Sequence, residues 1–132
     1  MQNQPVVLTE AEWKLMECLW AQAPRTGRAC VQWLQTHAGW TRSTTLTMLR
    51  RMTEKGLVRC EQQAGVLCYT PMLQRSDAEQ TAAERFLNRV FHGSVSMMLS
   101  SIARKQSLSR EEIDALYAIV QEADEAQKDQ NS

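Results

Sequence analysis

The chain has 132 residues, of which 43% are hydrophobic and equal numbers are basic and acidic. A chain of this size can bury one modest core but not two full domains. Its apolar runs stay well below the roughly 18 residues of a membrane-spanning helix, and the N-terminal MQNQP lacks the charged-then-apolar pattern of a secretion signal. We therefore expect a soluble, cytoplasmic protein without membrane contact, made of one small domain and an appendage.

The zero net charge conceals an asymmetry between the two parts of the chain. Residues 1–75 carry nine Lys or Arg against five Asp or Glu, a net charge of +4, whereas residues 76–132 carry six against ten, a net charge of −4. This difference predicts that the two parts have different tasks.

Two helices are predicted first. The sequence Thr9-Glu10-Ala11-Glu12 has the form of a capping box and predicts a helix that ends near Ala21, before a proline. A second helix is expected after Thr26, ending at Ala38-Gly39, because glycine can adopt the left-handed conformation that closes a helix. Cys18 and Cys30 fall within their apolar patterns and are expected in the core.

The third helix and a hairpin complete the N-terminal part. In WTRSTTLTMLRRMTEKG, Thr41 is the expected cap and Gly56 the expected end of a helix. The following LVRCEQQAGVLCYTP predicts two short strands with a turn near Gln63-Ala64-Gly65, bounded by a proline. Three helices and a hairpin indicate a winged helix-turn-helix over residues 1–73.

Residues 74–132 are predicted to form a three-helix domain. Ser76-Asp77-Ala78-Glu79 and Ser109-Arg110-Glu111-Glu112 are capping boxes that would open the first and last of these helices, with a shorter helix between them. Leu108 can pack on Ile113 across the start of the last helix. The acidic tail EADEAQKDQNS is expected to be frayed. The predicted fold class is therefore mainly α, with a winged helix followed by a helical domain.

These C-terminal helices have narrow apolar stripes and no sheet to cover them. A second copy of the same helices would bury the stripes, so we expect a homodimer. A monomer whose helices fold back on the winged domain is the alternative. The residues expected to make the dimer are Phe86, Val90, Val95, Leu99, Ile102, Ile113, Leu116 and Val120.

The third helix has an unusual outer face. Thr45, Met48, Leu49 and Met52 share the side expected to join the core. The opposite side, which we call the outer face, has no carboxylate of its own with which its arginines could pair. Its residues are Arg42, Ser43, Leu46, Thr47, Arg50 and Arg51.

An ordinary solvated basic surface could explain the outer face, but its position favours another interpretation. The third helix of a helix-turn-helix enters the major groove of DNA. Arginine can bind guanine or phosphate oxygens, and leucine can contact thymine methyl groups. Arg25 and Arg28 at the start of the second helix are expected to meet the phosphate backbone, and Arg59 extends the basic surface into the first strand of the hairpin. The sequence thus predicts a surface for double-stranded DNA.

The chain resembles the penicillinase-repressor family, which includes the methicillin-resistance repressor and copper-responsive repressors. The resemblance extends from about Leu8 to Glu125, with its segments in the family order. It depends on LTEAEWKLMECLW, WTRSTTLTMLRRMTEKGLV, YTP, RFLNRVFHGSVSMML and LSREEIDAL.

The resemblance implies a dimeric winged-helix repressor that binds a palindromic operator of the TACA/TGTA type. Carried over by position, it implies operator contacts from Arg42, Ser43, Thr44, Leu46, Thr47 and Arg51. Family members often have lysine in place of Ser43, and several have a basic residue in place of Leu46. The binding mode is therefore expected to be shared, whereas the operator bases are not defined.

The resemblance also implies release by an inducing signal, antibiotic or metal stress acting through a partner. The copper-responsive members have paired CxC motifs near the C-terminus, where this chain has no cysteine. The β-lactam-responsive members are cut at an Asn-Phe bond by an antirepressor protease, and the aligned position here is Ser101-Ile102. An antirepressor protease remains a possible partner, although that bond is absent.

Cys60 and Cys68 lie on facing strands of the predicted hairpin and are a possible redox pair. A turn centred on Ala64 would place them opposite each other, whereas a two-residue Ala64-Gly65 turn would offset them by one and put them on different faces. Two thiols alone make a poor metal site, and inert strand residues are the alternative interpretation.

An enzymatic function is not predicted, because no Gly-rich phosphate loop, nucleophile elbow or His/carboxylate cluster occurs in the sequence. No cofactor or metal is expected either. The competing hypothesis is a winged-helix module that binds a partner protein instead of specific DNA, because one fold serves both functions.

Overall fold

The computed structural model describes residues 5–131, so that the first four residues of MQNQP and the last residue of the tail lie outside the described part. Six helices and three strands occur in it. In chain order they are α1 (Glu10–Ala21), β1 (Arg25–Thr26), α2 (Gly27–Ala38), α3 (Arg42–Glu54), β2 (Val58–Gln63), β3 (Val66–Pro71), α4 (Arg75–Phe91), α5 (Val95–Lys105) and α6 (Arg110–Gln130).

The chain divides into two compact units, with the boundary between Arg85 and Phe86 inside α4. Unit 1 contains α1–α3, the sheet and the first part of α4, and unit 2 contains the rest. The functional domain boundary expected after residue 73 stays a prediction.

Local side-chain caps explain the first three helices. At the start of α1, the Thr9 amide donates to Glu12 Oε1 at 2.9 Å and the Glu12 amide donates to Thr9 Oγ1 at 3.1 Å, which confirms the predicted capping box. Thr26 and Thr41 cap α2 and α3, and Gly39 ends α2 in the left-handed region with φ 68°. All three predicted helices are therefore confirmed.

The core of unit 1 is built where α1, α2 and α3 pack together. It contains both cysteines that were expected to be buried, and all four tryptophans of the chain pack partly buried around it. The buried apolar residues are Leu8, Leu15, Met16, Cys18, Leu19, Cys30, Leu34, Leu49, Met52, Val58 and Ala78.

The sheet has three antiparallel strands in the order β1-β3-β2. β2 and β3 form the predicted hairpin, which we call the wing, and Gln63 pairs with Val66 across the two-residue turn Ala64-Gly65. β1 was not predicted. Its two residues pair with Tyr69 and Cys68, so that Arg25, expected at the start of the second helix, lies in a strand instead.

The expected start of α4 at a Ser76 capping box is wrong, because α4 begins one residue earlier, at Arg75. The Arg75 guanidinium forms ion pairs with Glu17 and with Glu79, and it lies over the Trp20 ring at 5.0 Å. These contacts hold Arg75 in the first turn, which places Ser76 inside the helix.

Unit 2 contains the two expected helices after α4. Ser94 caps α5 and Ser109 caps α6 through its Oγ, which accepts from the Glu112 amide at 3.0 Å. The tail that was expected to be frayed is helical to Gln130, which corrects that prediction. Its Glu, Ala, Gln and Lys residues are strong helix formers, and Lys128 pairs with Asp124 one turn away at 3.4 Å.

Candidate nucleic-acid interface

Helix α3 has one buried side and one exposed side. Thr45, Leu49 and Met52 are almost completely buried, and Met48 packs partly buried against the core. This arrangement confirms the side that was expected to face inward. α3 is consequently held by its apolar side, which leaves the other side to solvent.

The outer face is exposed along the length of α3. Leu46 is 38% exposed, although it is apolar, and Thr47 is partly buried. The remaining residues predicted to contact DNA from this helix are exposed, namely Arg42, Ser43, Thr44, Arg50 and Arg51. The structure therefore brings the predicted contacts of α3 onto one accessible surface.

Two of the predicted arginines have carboxylate partners. Arg50 Nη1 lies 3.4 Å from Glu54 Oε2 one turn later on α3, and Arg59 Nε lies 3.5 Å from Glu61 Oε1 on β2. The expectation of an outer face without ion pairs is thus wrong for Arg50, because Glu54 at the end of the helix reaches back to it. Both pairs are exposed, where such contacts are weak.

Arg28, Arg42 and Arg51 differ from these two. Within residues 5–131, no carboxylate lies within ion-pair distance of their guanidinium groups. Their charge is therefore available to an external anion without breaking an internal contact.

A surface cleft joins the outer face to the wing. Apolar residues of α3 and of the wing line it together with two arginines, Arg28 and Arg42. We call it the wing cleft, and it is lined by Gly27, Arg28, Arg42, Leu46, Gly65, Val66, Leu67 and Tyr69. Val66 and Leu67 were not among the site residues predicted from the sequence. A signal for them was present, because two adjacent apolar residues after the turn break the apolar-polar alternation expected of a strand with one buried face.

Tyr69 is one of the residues that line the wing cleft. Burial, together with hydrogen bonding to the adjacent Cys60, raises the pKa of Tyr69 above its ordinary value of 10.0. The phenol is therefore neutral at physiological pH, and the positive charge of the cleft belongs to its two arginines.

The register of the wing decides between the two arrangements considered for its cysteines. Cys60 pairs with Tyr69, and Cys68 pairs with Glu61. The two-residue turn thus offsets the thiols by one position and places them on opposite faces of the sheet, so they cannot pair with each other. No group of three metal-ligating side chains occurs in residues 5–131.

Unit 2 leaves its apolar side chains accessible. None of its helical residues up to position 131 is fully buried, and Val95 and Val120 are 53% and 62% exposed. Phe86, Val90 and Ile102 are also exposed, whereas Leu99, Ile113 and Leu116 are half-buried. An apolar cavity on α6 and the turn before it is lined by Leu108, Ile113, Leu116, Tyr117 and Val120.

No helix among the described residues is long and apolar enough to cross a membrane. The longest, α6, has 21 residues and carries charged side chains along its length.

Comparison with known proteins agrees with this architecture. The chain is 30% identical to the penicillinase repressor of Bacillus licheniformis over 115 residues, which cover 87% of this chain and 90% of the relative. It is 23% identical to the methicillin resistance regulatory protein MecI of Staphylococcus aureus over 120 residues, 91% of this chain and 98% of that protein.

Among solved structures, the monomeric form of Bacillus licheniformis BlaI in complex with the blaP half-operator is similar to this chain. The TM-score is 0.50 at 26% identity, and the match covers 56% of this chain and 90% of that one. This likeness confirms the predicted winged-helix fold of the N-terminal part. The family model of the penicillinase repressor matches residues 8–122. The chain therefore belongs to the penicillinase repressor family.

Proposed function

We propose that the chain is a dimeric transcriptional repressor that binds a palindromic operator of the TACA/TGTA type. The outer face of α3 would enter the major groove, while Arg28 and Arg59 contact the phosphate backbone. The proposed contacts from α3 are Arg42, Ser43, Thr44, Leu46, Thr47, Arg50 and Arg51.

One observation carries this proposal. α3 presents two guanidinium groups, those of Arg42 and Arg51, that have no carboxylate partner in residues 5–131 and lie on an exposed face beside a wing. A helix with this surface gains charge-assisted contacts when it meets phosphates or guanine edges. The relative BlaI, whose solved structure contains a half-operator, supports DNA as the partner.

Dimerisation through unit 2 is part of the proposal. Its helices expose apolar side chains that water would otherwise contact, and a second copy would cover them. Two copies related by a two-fold axis would present two α3 helices to two half-sites, which explains why a palindrome is the expected target.

The proposed signal is antibiotic or metal stress that acts through a partner such as an antirepressor protease, in the cytoplasm. The support is the relatives, which are named for penicillinase and methicillin resistance. Release from DNA, and not catalysis by this chain, would then transmit the signal.

Salt dependence tests the DNA proposal. Binding to a palindromic duplex should weaken steeply with salt, and Arg28→Gln, which removes one of the proposed phosphate contacts, should reduce the magnitude of the slope of log affinity against log salt by about one per subunit. Arg104→Gln on α5 removes the same charge from unit 2 and is the matched control, which should leave the slope unchanged. An affinity that is indifferent to salt would refute the proposal and favour a module that binds a protein.

A further inference from the structure

The wing cleft has the size and composition of a site for a small molecule. Its volume is about 590 Å³, within the roughly 300–1,000 Å³ range of ligand pockets. Three separate segments form it, the first turn of α2, the outer face of α3 and the tip of the wing. It is open to solvent, so a ligand could enter without a change in the fold.

Gly27 makes the cleft deeper than a side chain would allow. A Cβ atom at this position would lie 3.5 Å from Tyr69 Cε2 and 4.0 Å from Leu46 Cδ2. A methyl group at this position would therefore be in van der Waals contact with both side chains. The missing side chain therefore leaves an apolar recess at the point where α2, α3 and β3 meet.

The cleft combines apolar side chains with positive charge. Leu67 is about half exposed, at 48%, and lies on the same face of β3 as Tyr69, so that these two side chains form an apolar wall together with Leu46. Arg28 and Arg42 supply the charge, and neither has a carboxylate partner in residues 5–131.

A phosphate group alone would use only the two arginines and would leave the apolar wall in water. A ligand that matches both parts needs an anionic group and an apolar body. We propose that the wing cleft is an effector site for a small amphipathic organic anion, with one carboxylate or sulfonate on an aromatic or aliphatic body.

A regulatory consequence follows, and this part depends on the proposed function. Arg28, Arg42 and Leu46 are proposed to contact DNA, and a ligand in the wing cleft would cover the same three side chains. The anion and the operator therefore exclude each other, and an occupied cleft lowers the affinity for DNA through mass action.

Direct binding tests the site independently of DNA. The probe is 2-naphthoate, titrated into the full ¹⁵N-labelled chain while the amide resonances of Gly27 and Gly65 are followed by NMR. Both resonances should shift and saturate together. Neutral 2-naphthalenemethanol should bind at least about tenfold more weakly because it lacks the charge, and inorganic phosphate should also bind more weakly because it lacks the apolar body.

Variants locate the binding. Arg42→Gln and Leu67→Ser should each weaken 2-naphthoate binding about fivefold, since one loses an ion pair and the other an apolar contact. Arg104→Gln in unit 2 should have no effect, and the NMR spectrum of each variant shows whether it is folded. Shifts confined to unit 2, or equal affinity for 2-naphthoate and its neutral analogue, would overturn the proposed site.

Competition tests the regulatory part. Added 2-naphthoate should raise the apparent Kd for a labelled operator duplex in proportion to its occupancy of the cleft, whereas 2-naphthalenemethanol at the same concentration should not. If 2-naphthoate binds but leaves the operator affinity unchanged, the exclusion is refuted while the site stands. If no duplex binds at all, the proposed function fails, and the NMR titration still decides the site.

Discussion

Lys55 and Glu12 form an ion pair that joins the end of α3 to the first turn of α1. The Glu12 side chain is only 8% exposed, whereas that of Lys55 is 57% exposed. The same carboxylate accepts the Thr9 amide at 2.9 Å. One buried acid therefore both caps α1 and holds the helix that carries the proposed DNA contacts.

Glu12→Gln should destabilise unit 1 at neutral pH by about 1–2 kcal/mol, because it removes a charge-assisted hydrogen bond and weakens the cap. Chemical unfolding at pH 7 measures the loss. Glu54→Gln makes the same chemical change in the exposed Arg50 pair and should cost less than about 0.5 kcal/mol. Equal losses in the two variants would contradict the role of the buried acid.

The same pair predicts a dependence of stability on pH. Burial raises the pKa of Glu12, but hydrogen bonds from Lys55 and Thr9 outweigh it and leave the pKa below its ordinary value of 4.5. A lowered pKa in the folded state stabilises the fold above the unfolded pKa, and this stabilisation disappears as pH falls through the folded pKa. The difference between wild type and Glu12→Gln should therefore be full near pH 7 and shrink below about pH 4.5.

Thr45→Val should stabilise the fold by about 1 kcal/mol. Thr45 is completely buried on the core side of α3, and its Oγ1 has no hydrogen-bond partner among the described residues. Valine has the same shape and removes the cost of the buried hydroxyl. Thr53→Val is the control on the same helix, because Thr53 Oγ1 donates to Leu49 O at 2.7 Å. If Thr53→Val raises the melting temperature and Thr45→Val does not, the argument is refuted.

Leu46→Ala should weaken operator binding by roughly 1 kcal/mol while leaving non-specific binding and the salt slope unchanged. The reason is that an apolar side chain on the outer face has the thymine methyl group as its natural target. Replacing half-site thymines by uracil should reproduce this loss in the wild type and add little in the variant. If uracil costs the same in both proteins, Leu46 does not contact the methyl group.

Arg51→Ala should weaken DNA binding more than Arg50→Ala. Arg51 has no carboxylate partner among residues 5–131, whereas Arg50 pairs with Glu54 at 3.4 Å and must leave that contact to reach DNA. Titrations with operator and with random duplex distinguish the contacts, since an arginine on phosphate affects both and one on guanine affects only the operator. A larger loss for Arg50→Ala would show that the ion pair does not restrain it.

Leu116→Asp should convert the protein to monomers and abolish tight operator binding. Leu116 lines the apolar cavity of α6, where a carboxylate without a partner would cost several kcal/mol in a dimer interface. Ala115→Asp places the same group on the opposite side of α6 and should preserve the dimer. Sedimentation at micromolar concentration measures both, and a monomeric wild type would refute the proposed assembly.

The helix starts of unit 1 could be predicted because their causes are local. Thr9, Thr26 and Thr41 each bind an amide three residues ahead, so a short stretch of sequence contains both partners. The apolar spacing of α3 was equally informative, since the packing of a helix follows its own period.

Features that depend on distant partners could not be predicted in the same way. β1 has only two residues, and it forms because it pairs with β3, which lies about 43 positions later in the chain. The start of α4 depends on Arg75 contacting Glu17 and Trp20 of α1. The wing cleft could not be predicted either, because three segments that are distant in sequence form it. It also depends on Gly27, which no periodic pattern distinguishes from its neighbours.

The placement of the tryptophans gives unit 1 an optical signal that unit 2 does not share. All four tryptophans, Trp13, Trp20, Trp33 and Trp40, surround the core of unit 1, and Trp20 Nε1 also donates to Leu73 O at 2.8 Å. Unit 2 has no tryptophan, and Tyr117 is its single tyrosine. Intrinsic tryptophan emission therefore follows the melting of the winged unit alone, while circular dichroism records the helices of both. Separation of the two melting curves would measure, without any label, how independently the units unfold.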